Sequence, residues 1–252
     1  MQEFLPDSTL VRQVRRSPNH DERAFATDIL LLHYTGMTST AEAIERLCDP
    51  EAKVSAHYVV DEDGNIVQLV PEARRAWHAG QSLWEGVNDI NSRSIGIEIG
   101  NAGHGQGYPD FPEPQIAAVI ALCRDLMERH RFRADRVLAH SDVAPLRKWD
   151  PGEKFPWERL YRAGVGAWVE PAPVMPGMVL SLHDIRPEVA RLQAGLRVYG
   201  YGIEATGIYD ELTAAVVAAF QRHFRPACID GRADPSTFET LGSLLAASDR
   251  WR

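Results

Sequence analysis

The sequence is poor in cysteine, short of positive charge and free of long apolar runs, and each shortage removes a class of protein. Three cysteines, Cys48, Cys123 and Cys228, stand far apart with no CxxC pair, and an odd count does not suggest a disulfide framework. Cys48 and Cys123 fall in apolar helical patterns, where a small buried thiol is the expected role. Acidic side chains outnumber basic ones, 25 to 19 in residues 1–167 and 10 to 8 in residues 168–252. Nucleic acid rewards basic patches, so it is excluded as a partner. No apolar stretch is long enough to span a bilayer. The N-terminus, Met-Gln-Glu-Phe-Leu-Pro-Asp-Ser, lacks a basic region followed by an apolar one. A cytoplasmic location is therefore expected for the chain as written. A removed signal replaced by a start methionine would read the same, which leaves a periplasmic or outer-membrane-associated location as the alternative. Oligomeric state is left open.

What is present is ordinary globular material, 44% hydrophobic and 25% charged, which excludes a mostly disordered chain. At 252 residues it suits one large domain, or a medium one with a small appendage. Residues 1–27 read as an irregular arm. The run Asp28-Ile-Leu-Leu-Leu-His33-Tyr-Thr-Gly36 has the pattern of a strand buried on both faces, closed by His33. Residues 39–48 read as a helix capped by Ser39 or Thr40, with Ala43, Ile44 and Leu47 on one face. His57–Val60 and Ile66–Val70 pair as a hairpin through Gly64-Asn65. In Ser94–Gly100, Ile95, Ile97 and Ile99 alternate with Gly96 and Glu98, so a further strand is expected there. Residues 113–131 form the clearest helix, started by Glu113-Pro114, with Ile116, Val119, Ile120, Cys123 and Met127 on its apolar face. Arg136–Ala139 reads as a short buried strand and residues 156–162 as a short helix. The fold class is thus α/β over residues 1–167, a mixed sheet flanked by helices. Three prolines in Val169–Gly177 mark a semi-rigid linker, residues 168–178. Residues 179–252 follow as a small all-α three-helix domain, with helical periodicity over 187–199, 210–224 and 234–247. His183 and His223 there are read as surface or packing residues.

Chemistry concentrates in His140-Ser-Asp-Val-Ala-Pro-Leu-Arg-Lys-Trp-Asp150-Pro-Gly, where a histidine, a lysine and an aspartate are broken by two prolines. Loops at strand ends carry chemistry. His140 and Asp150 alone lack a third metal ligand, and His33, at the end of another strand, supplies one. Two imidazoles and a carboxylate suit zinc with a fourth position left for water. Zinc lowers the pKa of bound water to roughly 7. Glu98, which points away from the isoleucine face, lies either on a solvated sheet face or in a cleft. In the cleft it would act as the base that takes a water proton and the acid that returns it to a leaving amine. Lys148 would supply positive charge to an oxyanion. Trp77 and His78, in a Gly-rich irregular segment with Trp84, are either a groove wall or a loop tucked onto the core.

Six stretches, Leu-Leu-Leu-His33-Tyr-Thr, Ser55-Ala-His57-Tyr, Gln68-Leu-Val-Pro71, Ala76-Trp-His78-Ala-Gly80, Ser94-Ile-Gly-Ile-Glu98 and His140-Ser-Asp-Val-Ala-Pro with Arg147-Lys148-x-Asp150-Pro-Gly, closely resemble the zinc-dependent N-acetylmuramoyl-L-alanine amidases of the type 2 class. That family shares a fold with peptidoglycan recognition proteins and phage T7 lysozyme. The resemblance implies His33, His140 and Asp150 as zinc ligands, Glu98 as catalytic acid/base and Lys148 as oxyanion stabiliser, and cleavage of the amide joining N-acetylmuramic acid to L-alanine of the stem peptide. His57 also matches a family histidine, but its strand position favours packing. The C-terminal part, with His223-Phe-Arg-Pro226 and Asp230-Gly-Arg-Ala-Asp234, resembles the helical peptidoglycan-binding module of AmiD-type amidases. The implied partner is peptidoglycan or its muropeptide fragments, with Trp77 and His78 lining the groove. Truncation after residue 168 is then expected to weaken retention on murein and to spare cleavage of a small muropeptide. The rival reading is a non-catalytic recognition protein of the same fold, which typically lacks a complete ligand set.

Overall fold

The computed structural model describes residues 5–248, so the first four residues of the N-terminal arm and the last four of the chain lie outside the described residues. In chain order the elements are β1 (Gln13–Val14), β2 (His20–Asp21), β3 (Ile29–Tyr34), α1 (Thr40–Cys48), β4 (Tyr58–Val60), β5 (Ile66–Gln68) and β6 (Arg75–Ala76). Then come α2 (Ile90–Arg93), β7 (Ser94–Ile99), α3 (Glu113–His130), β8 (Val137–Ala139), α4 (His140–Val143) and α5 (Trp157–Arg162). The C-terminal helices are α6 (Pro187–Tyr199), α7 (Glu211–Phe224) and α8 (Pro235–Ala247). The principal sheet has the order β1-β5-β4-β7-β3-β8. Only the β4–β5 hairpin is antiparallel; the other neighbours run parallel.

β3 and β7 sit inside this sheet, and their sequences show why. Ile29 to Leu32 are all fully buried, as a parallel strand covered on both faces requires. Ser39 caps α1, its Oγ accepting the Glu42 N–H at 3.2 Å. At the hairpin turn the Asp61 carboxylate accepts the N–H groups of Asp63 and Asn65. Along α3 the buried seam is Ile116, Val119, Leu122, Cys123 and Leu126, while Ile120 and Met127 are only partly covered. The buried face is therefore shifted from the expected one, toward Leu122 and Leu126 and away from Ile120 and Met127.

Two expectations change. The N-terminal arm is not irregular throughout: β1 pairs with β5 and β2 with β6. Two-residue strands carry no periodicity to read. The proline-rich stretch is also more than a spacer. Trp168 is buried, the Ala172 N–H donates to Thr240 Oγ1 at 3.0 Å, and Ser236 Oγ donates to the Ala172 carbonyl at 2.6 Å. The three C-terminal helices occupy the expected positions, yet they do not hang free. One apolar cluster joins Ile29–Leu32 and Trp157 to Tyr199, Tyr201 and Phe224, with the indole of Trp84 fully buried between the two parts.

Candidate functional site

β3, β7 and β8 are parallel, so their carboxyl ends lie side by side, where open parallel sheets bind ligands. His33 registers with Glu98 across β3 and β7, and Leu32 with Ala139 across β3 and β8, which brings His140 beside His33. Asp150 returns to the same point after the loop. His33 Nδ1 is 2.8 Å from His140 Nδ1 and 3.2 Å from Asp150 Oδ2, and His140 Nδ1 is 2.9 Å from Asp150 Oδ2. These are the edges of one small triangle. A tetrahedral ion with metal–ligand bonds near 2.0–2.1 Å has ligand–ligand edges of about 3.3 Å. The three residues are 1%, 2% and 5% exposed, so the ligand atoms are screened from water. Burial and the adjacent His140 hold His33 down to about 4, so its imidazole is neutral at pH 7 and has a lone pair to give. Burial raises the Asp150 carboxyl, but the two imidazoles outweigh it and hold the group below the usual carboxylate range. A neutral imidazole at His33 and an ionised carboxylate at Asp150 are protonation states a divalent cation needs.

The tautomers are fixed from behind. With Nδ1 of His33 facing the triangle, its proton sits on Nε2 and is donated to His78 Nδ1 at 3.0 Å. His78 Nε2 lies 3.4 Å from Ser94 Oγ, which donates to the Ile90 carbonyl at 2.6 Å. His140 Nε2 donates to the Ala79 carbonyl at 3.0 Å. Such outer contacts hold a ligating ring in place. Gly96 makes room for this arrangement, since a Cβ there would lie 2.5 Å from the His78 ring. His57 packs as expected: it is fully buried, with Nδ1 accepting the Gly96 N–H at 2.9 Å.

The triangle opens on a cavity of about 350 Å³ lined by Tyr34, Trp77, His78, Glu98, Lys148 and Asp150, among others. The cleft reading of Glu98 is thus the observed one. Glu98 Oε2 and Trp77 Nε1 are buried without a partner among the described residues, so each is free to meet a ligand. Burial and the Asp150 charge push the Glu98 carboxyl well above its ordinary value, opposed by Lys148. Trp77 and His78 both form wall, but the His78 nitrogens already face His33 and Ser94. The sequence reading missed that supporting role. Its signal is the glycine in an otherwise isoleucine-lined strand. Also missed was Trp149, 55% exposed at the rim beside Tyr34 and Lys148, inside the motif that carries His140 and Asp150. A larger cavity of about 580 Å³, lined by Leu83, Arg197 and Tyr201, holds none of the proposed ligands.

The profile of the N-acetylmuramoyl-L-alanine amidases matches residues 23–153. The chain is 36% identical over 229 residues to N-acetylmuramoyl-L-alanine amidase AmiD of Escherichia coli, covering 86% of this chain and 82% of that protein. The chain belongs to the N-acetylmuramoyl-L-alanine amidase family. A second profile, of a peptidoglycan binding domain, matches residues 186–241 of this amidase. Its structure resembles Escherichia coli AmiD in complex with anhydro-N-acetylmuramic acid-L-Ala-D-gamma-Glu-L-Lys, with TM-score 0.75, 34% identity and 92% of each chain covered. It also resembles Pseudomonas aeruginosa AmpDh3 in complex with anhydromuramic pentapeptide, with TM-score 0.73, 31% identity and all of each chain covered.

Proposed function

We propose that this amidase is a zinc enzyme that cleaves muropeptides, with His33, His140 and Asp150 as the metal ligands. The observation that carries the proposal is the buried triangle of three ligand atoms, 2.8 to 3.2 Å apart, opening on the cavity that holds Glu98 and Lys148. A complete ligand set with an acid/base beside it favours catalysis over recognition alone. Zinc bound there supplies Lewis-acid polarisation of the scissile carbonyl and activates water. Glu98, whose Oε2 has no partner among the described residues, takes the proton from the attacking water and returns it to the L-alanine nitrogen as the amide breaks. Lys148 places its ammonium against the oxyanion of the tetrahedral intermediate. Trp77 Nε1 donates to the bound substrate, and the exposed indole of Trp149 offers a flat apolar face to a sugar ring.

The proposal also takes the substrate to be a muramyl peptide carrying L-alanine, supported by the ligands named for the two similar structures. The test is mass spectrometry of a defined anhydro-muropeptide and of its non-anhydro counterpart after incubation with the protein. Release of stem peptide and the sugar lactyl acid, lost on chelation and restored by zinc, is expected. Binding without cleavage would make the recognition reading the better one.

A further inference from the structure

The turn α4 carries more of the site than His140. Its Ser141 N–H donates to the Asp150 carbonyl at 3.1 Å, and the Ala144 carbonyl at its end accepts the Lys148 N–H at 3.0 Å. Two proposed ligands and the proposed oxyanion group therefore depend on where four residues lie. One helical turn does not hold itself, because nucleation costs more than its single hydrogen bond returns. The turn is held by Asp142, which is fully buried. Asp142 Oδ2 accepts the Ala139 N–H at 2.8 Å, just before His140. Its other two partners come from the C-terminal part: His223 Nδ1, on α7, donates to Oδ2 at 2.7 Å, and the Tyr201 hydroxyl, in the loop after α6, donates to Oδ1 at 2.7 Å.

Both partners are fixed. His223, 1% exposed on α7, is stacked between Trp157 and Phe224 at ring distances of 3.8 and 4.0 Å. Tyr201, 1% exposed, sits in the loop Gly200-Tyr201-Gly202, whose glycines let it close on the other part of the chain. A Cβ on Gly200 would lie 2.4 Å from Trp84, and one on Gly202 2.6 Å from Leu83. The Gly200 carbonyl accepts the Glu85 N–H, and the Leu83 N–H donates to the Val143 carbonyl, each at 2.8 Å. Segment 83–85 is thus clamped between that loop and α4. Further back in the same segment is Ala79, whose carbonyl orients His140.

We propose that Tyr201 and His223 are positioning residues of the metal site, holding Asp142 and through it the turn that bears His140 and anchors Asp150 and Lys148. The C-terminal helical part then serves the chemistry directly, besides any grip it has on murein. This rests on the ligand assignment proposed above. The test uses the full chain and zinc itself. Zinc affinity is measured by competition with a chromophoric chelator, and kcat and KM are measured on a soluble muropeptide. Tyr201→Phe removes one hydroxyl. His223→Phe keeps the stack and removes the donor, and His223→Asn puts a donor back near the Nδ1 position.

The double variant Tyr201→Phe/His223→Phe is expected to bind zinc about 10–100-fold more weakly and to lose kcat with little change in KM. Tyr201→Phe/His223→Asn should recover much of both. Near-UV circular dichroism of the metal-free proteins reports folding. Wild-type zinc affinity and kcat in the folded double variant would overturn the proposal. If the double variant does not fold, the isosteric Tyr201→Phe decides, and wild-type values there overturn it equally. His140→Ala separates the two readings. If it loses zinc while the double variant does not, the positioning role alone is wrong; if it binds zinc as the wild type does, the ligand assignment falls and takes the positioning role with it.

Discussion

Glu98 shows how a strand residue becomes a site residue. Its neighbours Ile97 and Ile99 point into the core, so the alternation of β7 turns Glu98 to the other face, where Gly96 leaves a hollow and His78 fills it. Because Glu98 ligates nothing, Glu98→Gln is expected to keep zinc, measured by metal analysis after dialysis, and to lose about 10²–10⁴-fold in turnover. Turnover within a few-fold of wild type would remove it from the mechanism. A second carboxylate, Glu72, contributes to acid stability. Burial raises its pKa, but hydrogen bonds from Arg129, His130 and Tyr58 overcome that and hold it at about 2 against an ordinary 4.5. A lowered carboxyl pKa contributes stability that is present above the unfolded value and is lost as pH falls through the folded one. The window is therefore about pH 4.5 down to 2, and the contribution is on the order of 3 kcal/mol. His57, held at about 3 by burial and by Arg23, acts in the same direction. Comparing wild type with Glu72→Gln isolates the carboxylate: the variant should be less stable at pH 7 and show a flatter denaturant midpoint between pH 5 and 2.

At the scale of elements, the strands were legible where their pattern was long. β3, β7, the β4–β5 hairpin, α1 and α3 all lie where hydrophobic period and turn residues put them, because each buries a face that the sequence must supply. The pairs β1–β5 and β2–β6 were not legible, since two residues make no period and backbone hydrogen bonds do not specify side chains. α4 was read as loop for the same reason. The packing of β7 against the histidines yields a further prediction. Gly96→Ala should push the His78 ring off His33, at a cost of about 1–3 kcal/mol in stability and with weaker zinc binding, read by thermal unfolding and chelator competition. A variant as stable and as zinc-avid as wild type would show that β7 and the 77–80 loop part freely.

Across the whole molecule, the shared core changes what truncation means. Removing residues 169–252 would uncover Trp84 and strip Asp142 of two partners, so cleavage of a small muropeptide is no longer expected to survive it. The intact metal-free chain should instead unfold in one cooperative transition, with calorimetric and van't Hoff enthalpies equal. Two resolved transitions would mean that the helical part folds independently of the sheet. Zinc at a thousand times its dissociation constant should add about 4 kcal/mol, and so raise the midpoint by on the order of 10 °C.

By itself, the sequence determined the α/β class and the helical C-terminal part, and it singled out His33, Glu98, His140, Lys148 and Asp150 as candidates for one site. It could do so because strand periodicity, strand-end histidines and the Lys148-x-Asp150 spacing are local features. Tertiary structure decided whether Glu98 faced water or a cleft, what His78 touches, and that Asp142 is gripped by Tyr201 and His223 from 59 and 81 residues away. No local pattern marks such contacts. A hydrogen bond between distant residues depends on how the elements carrying them pack, and packing is set by the whole buried surface at once.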